Sequence, residues 1–217
     1  MRAVLAALCV AAVAAGAASA AAGEKEQVHL TKADQAAAKR AVALRADLGA
    51  GSWTGGYTRP DLSGNGASCA NFHPKQADLV LTGAASSSWA DKGLQISSET
   101  QILKKRTMVA ADWRRTILAP GAIACLRVRL LKQLGTGITF VSFRRVIFPP
   151  VATNAEAFLM LVDVKANTRK VRVAIEFVAV ARGRTELTLV SVVQNAVQKV
   201  VAQIDAQIAR SLVARSV

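Results

Sequence analysis

The sequence predicts an α+β domain, an antiparallel β-sheet with a meander in its C-terminal half, covered by helices and held by one disulfide. Three observations lead there. The chain has 217 residues, 52% hydrophobic and 19% charged, which is enough apolar content for a core and enough length for one ordinary domain. Residues 138–193 form four β-rich runs separated by short turns, and short turns join antiparallel neighbours. Helical periodicities lie before and after those runs. With 14 Gly and 5 Pro, the chain is neither collagen-like nor a linker.

Residues 1–22 read as a secretory signal peptide. Met1-Arg2 gives a short positive start, Val4 to Ala18 is apolar apart from Gly16, and Ala18-Ser19-Ala20 is a small-x-small cleavage pattern. The run is Ala-rich and shorter than the roughly 20 strongly apolar residues of a spanning helix. The expected location is secreted, extracellular or in the cell envelope. Cys9 sits inside the run after Leu8, not after a small residue at its end, so lipid attachment is not expected. Export leaves Cys69 and Cys125, which an oxidising compartment favours as a pair. Such a bond would stabilise by on the order of 4 kcal/mol in the chain-entropy model.

Residues 23–30 read as a flexible tail, and residues 31–217 as a single domain. Thr31 is placed to cap a helix with Asp34 in the capping-box position, and Val42, Leu44 and Leu48 lead to a stop at Gly49. Residues 49–68 read as a Gly-rich loop containing Trp53, Tyr57 and Arg59-Pro60-Asp61. Leu79-Val80-Leu81 is a short strand. Leu94, Ile96, Ser98, Thr100 and Ile102 alternate with polar neighbours, as a half-buried strand does. Thr107 opens a helix carrying Val109, Trp113 and Ile117, which Pro120-Gly121 breaks; a second helix carries Ile123, Leu126 and Leu130. The β-rich runs are 138–148, 157–164, 171–181 and 185–193, and Val197, Val201, Ile204, Ile208 and Leu212 define a closing helix.

This order resembles a known family. The first helix exits through Arg45, Ala46, Asp47, Leu48 and Gly49, with Trp53 after it and Cys69 soon beyond; then come a central helix with Trp113-Arg114-Arg115, a β-meander and a closing helix. Over residues 31–217 this resembles the extracellular sensor domains of PknH-type kinases and, more distantly, the PsbP-like α/β/α sandwich. The resemblance implies a fold and carries over no functional residues. The chain departs from the kinase sensors in having no kinase or internal transmembrane segment, and one possible disulfide where two would be expected.

Catalytic chemistry finds little footing. Cys69-x-x-x-His73 places a thiol near a base, yet a disulfide half beside a loop histidine accounts for both. Two His and two remaining Cys fall short of a zinc spacing, and no Gly-x-Ser-x-Gly, Ser-x-x-Lys or His-Glu-x-x-His occurs. Asp61-Leu62-Ser63-Gly64-Asn65-Gly66 imitates the start of a calcium loop, but its twelfth position is Phe72 rather than Glu. Gly49-Ala50-Gly51 and Gly55-Gly56 follow a helix where a phosphate loop follows a strand. Asp163 and Glu176 lie on neighbouring predicted strands, where a glycosidase pair could form, but Glu176 alternates with Ile175 and Phe177 as an outward residue would, and ion pairs to Arg172 or Arg182 are the simpler expectation. No enzyme, metal or cofactor is expected.

Charge is the remaining signal. The formal net charge is +14, and residues 104–145 hold ten basic residues against Asp112 alone. Lys104, Lys105, Arg106, Arg114, Arg115, Arg144 and Arg145 are the candidate anion-binding residues. A solvated basic surface would look the same in sequence. Secretion and an aromatic content of 5% without a stacking motif argue against nucleic acid. The expected function is therefore a secreted, non-catalytic envelope module binding a small or lipidic ligand between sheet and helices, cued by Phe140, Phe158 and Phe177. The alternative is a basic protein held to anionic cell-wall polymer or a membrane surface.

Overall fold

A computed structural model of the chain describes residues 25–62, 69–134, 137–166, 169–194 and 198–217. The signal segment and the Ser63–Gly66 part of the calcium-like turn lie outside them. Among the described residues eight strands form one sheet: β1 (Gln27–Val28), β2 (Thr54–Thr58), β3 (Val80–Asp91), β4 (Leu94–Leu103), β5 (Ile138–Val146), β6 (Asn154–Ala166), β7 (Arg169–Arg182) and β8 (Thr185–Gln194). The order across the sheet is β1-β3-β4-β8-β7-β6-β5, with β2 also paired to β3. Strands β5 to β8 form the predicted meander, and β8 joins it to the β3–β4 hairpin, with Ile96 opposite Ser191. Only β1 runs parallel to its neighbour.

Four helices cover both faces: α1 (Lys32–Arg40), α2 (Arg106–Thr116), α3 (Ala122–Leu134) and α4 (Gln198–Arg215). On one face, Ile208, Leu212 and Val213 of α4 meet Ile96, Leu159, Val178, Val180, Leu187 and Leu189 of the sheet. Ala37 and Ala38 of α1 pack beside them on Ala85 and Ile102. On the other face, Val109 and Trp113 of α2 lie on Leu103, Ala179 and Ala181. Leu126 and Leu130 of α3 lie on Met160, Val162, Val173 and Ile175. The predicted disulfide forms between Cys69 and Cys125, Cα atoms 5.6 Å apart, and ties α3 to the loop before β3.

Several elements differ from the sequence reading. Gln27 and Val28, expected in a flexible tail, pair with Val80 and Leu81. The Gly-rich loop contains β2, whose Thr54–Thr58 pair with Ala90–Ser86. Strand β3 runs on through Ser86, Ser87 and Ser88, because their hydroxyls find partners in the protein: Ser87 Oγ donates to the Ala43 carbonyl at 2.8 Å, and Thr58 Oγ1 and Ser86 Oγ lie 2.8 Å apart. The first helix ends at Arg40, and a 3-10 turn over Arg45–Leu48 replaces its expected second half. The sheet claims the intervening carbonyls: Thr100 Oγ1 donates to Ala41 O at 2.8 Å and Trp89 Nε1 to Ala43 O at 2.9 Å. Thr31 caps α1 as expected, accepting from the Asp34 N–H at 3.1 Å. The Asp34 carboxylate instead takes both guanidinium nitrogens of Arg184 at 2.6 and 3.2 Å.

Helix α1 rests directly on β3 at Gly83, where a Cβ would fall 2.4 Å from the Asp34 carbonyl oxygen. Gly83→Ala is expected to push α1 off the sheet and cost about 2 kcal/mol, read as a lower urea midpoint. An unchanged midpoint would mean that α1 is not held against β3.

Candidate functional site

A cavity of about 450 Å³ opens at the end of the sheet where β7 turns into β8. Its walls are the first turn of α2 (Arg106, Val109, Ala110), the β5–β6 connection (Val151 to Asn154), the end of β7 (Ala181, Arg182, Gly183) and Val213 of α4. Gly183 has φ +60°, the left-handed first residue that lets β7 reverse within two residues. Helix α2 begins abruptly: Lys105 is extended, gives no side-chain cap, and the first turn holds no acid. Its first amide groups and the positive end of its dipole therefore add to the charges of Lys104, Lys105 and Arg106, all exposed. Arg182 leaves the sheet end and donates from Nη1 to the Val213 carbonyl at 2.8 Å. Two guanidinium groups beside Val109, Val151, Ala152 and Val213 suit an anionic head on an apolar body.

The sequence-derived basic residues do not form one patch. Lys104, Lys105 and Arg106 cluster at the start of α2, while Arg114 stands exposed at its far end with Nε on its own helix at Ala110 O. Arg115 is committed to Asp78, with 2.7 and 2.9 Å contacts to both carboxylate oxygens, and to Lys75 O. Arg144 and Arg145 alternate along β5 and so point to opposite faces, and Arg145 is ion-paired with Glu156. Only Arg106 of the seven lines the cavity. Arg182 was missed as an anion contact because in sequence it reads as a strand end. Between sheet and helices, Phe158 is fully buried and its ring lies 6.0 Å from Phe143 and 6.4 Å from Phe177; that space is core. Phe140 stands 40% exposed at the sheet edge.

The catalytic candidates separate likewise. Cys69 is oxidised and His73 is exposed, its ring nitrogen 3.2 Å from Ala70 O, so no thiol–imidazole pair exists. Asp163 is ion-paired with Arg172, the simpler expectation. Glu176 is not outward. It is fully buried opposite Leu159 and Ser191, and neither carboxyl oxygen has a hydrogen-bond partner. The alternation with Ile175 and Phe177 misled because both faces of β7 are covered. Its ionisable neighbour is Asp205 of α4, also fully buried, which accepts from Ser191 Oγ. Burial pushes the Glu176 carboxyl up to about 7 and, together with the neighbouring Glu176 charge, holds Asp205 well above the usual carboxylate range. A second group lies on the opposite face, where Glu186 meets Asp112: burial raises both, and the Asp112 charge raises Glu186 further, while their hydrogen bond favours ionised Asp112. Burial lifts Glu26 to about 7 beside them. No group of three metal-ligating side chains with suitable geometry occurs among the described residues.

No protein family and no curated protein matches the chain. Among solved structures, it is similar to an X-ray structure titled as a putative uncharacterised protein, the Rv0999 ortholog, from Mycobacterium smegmatis: 8% identity, TM-score 0.34, over 60% of this chain. The chain spans 64% of that protein's length. None of these comparisons supports the likeness to PknH-type sensors or to the PsbP-like sandwich, which rests on element order and a few residues.

The raised carboxyls fix a pH dependence. A carboxyl whose folded pKa exceeds its unfolded value binds its proton more tightly when folded, so its contribution is present in acid and is lost as pH rises through that interval. For Glu176 the interval runs from 4.5 to about 7. Asp34, Asp47, Asp78 and Asp163, lowered by arginine partners, act in the opposite sense below it. Urea stability is therefore expected to fall between about pH 5 and 8, and Glu176→Gln to flatten that fall. Stability that is level or rising over this range in the parent chain would contradict the buried-pair reading.

Proposed function

We propose that the chain is a non-catalytic binding module of the cell envelope that holds a small amphiphilic anion in the cavity at the end of the sheet. The observation that carries the reading is the cavity itself: Arg106 and Arg182 beside an apolar wall, next to an uncapped helix start. Where the ligand was expected, between sheet and helices, Phe158 is packed against Phe143 and Phe177, so the ligand is assigned to the sheet end. A carboxylate or phosphate head would take charge-assisted hydrogen bonds from the two guanidinium groups, while a short alkyl or isoprenoid stem would lie on Val109, Val151 and Val213. The signal segment and the disulfide support an oxidising, extracytoplasmic setting.

Octyl phosphate and octyltrimethylammonium test this by calorimetry. The phosphate is expected to bind and the ammonium not. Arg106→Gln and Arg182→Gln should each weaken the phosphate by about tenfold, the loss of one charge-assisted bond. Equal affinity for both amphiphiles, or no effect of either substitution, would defeat the reading.

A further inference from the structure

A second surface, on a different part of the molecule, is unusual in both charge and apolarity. Residues 113–155 contain no Asp or Glu and seven basic residues. The acid just before them, Asp112, is turned inward, accepting from Gln76 Nε2 at 2.8 Å and meeting Glu186. Six of the ten large apolar side chains that stand exposed among the described residues come from this stretch, Leu118, Ile123, Val128, Phe140, Val141 and Ile147.

Helix α3 concentrates both properties. Its sequence AIACLRVRLLKQL has no acid, and its inner face is already satisfied by Ala122, Cys125 and Leu130, all buried. At 100° per residue, Ile123, Arg127, Ala124, Val128 and Lys132 fall within one half of the helix and all five are exposed, while Leu131 and Leu134 of that half lean partly into the core. Ile123 is 40% and Val128 51% exposed, and Leu118 in the preceding turn 53%. Exposed apolar and cationic side chains sharing one helix face are the composition of an interfacial helix. This one lies on the outside of the molecule, in contact with the edge strand β5. The disulfide at Cys125 fixes its inner face, so the outer face is presented as a rigid surface.

We infer that the outer face of α3, with the α2–α3 turn, docks peripherally on an anionic lipid bilayer. Arg127, Lys132 and Arg114 meet lipid phosphates while Leu118, Ile123 and Val128 enter the headgroup boundary. Charge complementarity selects this occupant. A second copy of the chain would bring the same acid-free, cationic surface against itself, and a purely polar wall polymer would leave the apolar side chains in water. No helix among the described residues is long and apolar enough to cross a membrane, so the contact is with the surface. The inference is independent of the sheet-end cavity, to which none of these residues belongs.

Co-sedimentation with vesicles tests it. The intact mature chain is expected to bind vesicles of phosphatidylcholine with about one-third phosphatidylglycerol and to ignore phosphatidylcholine alone, with binding falling steeply between about 0.1 and 0.5 M salt. The double variants Ile123→Ser/Val128→Ser and Arg127→Gln/Lys132→Gln should each lower binding about tenfold or more with an unchanged urea midpoint, since all four side chains are exposed. The cavity variants Arg106→Gln and Arg182→Gln should bind vesicles as the parent chain does. Equal binding to both vesicle types, no binding, or binding lost in the cavity variants but kept in the α3 variants would overturn the inference. So would a concentration-dependent dimer that the α3 substitutions abolish, or retention on isolated cell wall without retention on vesicles.

Discussion

Strands β6, β7 and β8 have helices above and below them, so the middle of the central sheet is covered on both faces. That double covering governs where every charge can go. In β7 the basic residues Arg169, Lys170, Arg172 and Arg182 stand at the two ends, and between Val173 and Ala181 only Glu176 is ionisable. Cations have long stems and leave the sheet for its rims, as Arg182 does toward α4 and Arg184 toward α1. Carboxylates are shorter, and burial raises the pKa of those caught inside. The result is a molecule whose interior is acidic and whose exterior is basic well beyond its net composition.

The same covering explains what could be read from the sequence. Strand β4 alternates cleanly because Ile96, Ser98, Thr100 and Ile102 share one face, where Ser98 and Thr100 bond the backbone of Ala43 and Ala41, while Gln95, Ser97, Glu99 and Gln101 take the other, and the helices carry ordinary 3.6-residue periods. Strands β6 and β7 show continuous apolar runs whose ends blur, and their lengths were underestimated at both termini. Glu176 was placed on the wrong side for this reason: period two identifies an outward face only where one face is wet.

Other elements were hidden for a different cause. Strand β2 is TGGYT and lies at the sheet margin, where backbone pairing to β3 decides the structure and the side chains say little. In β3 the run of three serines resembles a loop until the hydroxyl partners Ala43 and Thr58, distant in sequence, are brought beside it. The candidate cavity was half legible. Arg106 stood out among the basic residues, whereas Arg182 and Val213 reach it from strand and helix ends whose convergence only topology reveals.

The ion pairs at the chain's extremities bear on how the molecule assembles. Arg215 of α4 grips both carboxylate oxygens of Asp47 at 2.8 and 2.6 Å and also reaches the carbonyls of Arg40 and Val42, partners 168 to 175 residues earlier. Arg184 holds Asp34 across 150 residues. The layer formed by α1, the 3-10 turn and α4 therefore draws on both extremities, and its hydrophobic face stays open until residues 198–215 are available to close it. Closing loops this long costs entropy before the contacts repay it, so the layer of α1 and α4 is expected to settle after the meander, whose hairpins close over a few residues.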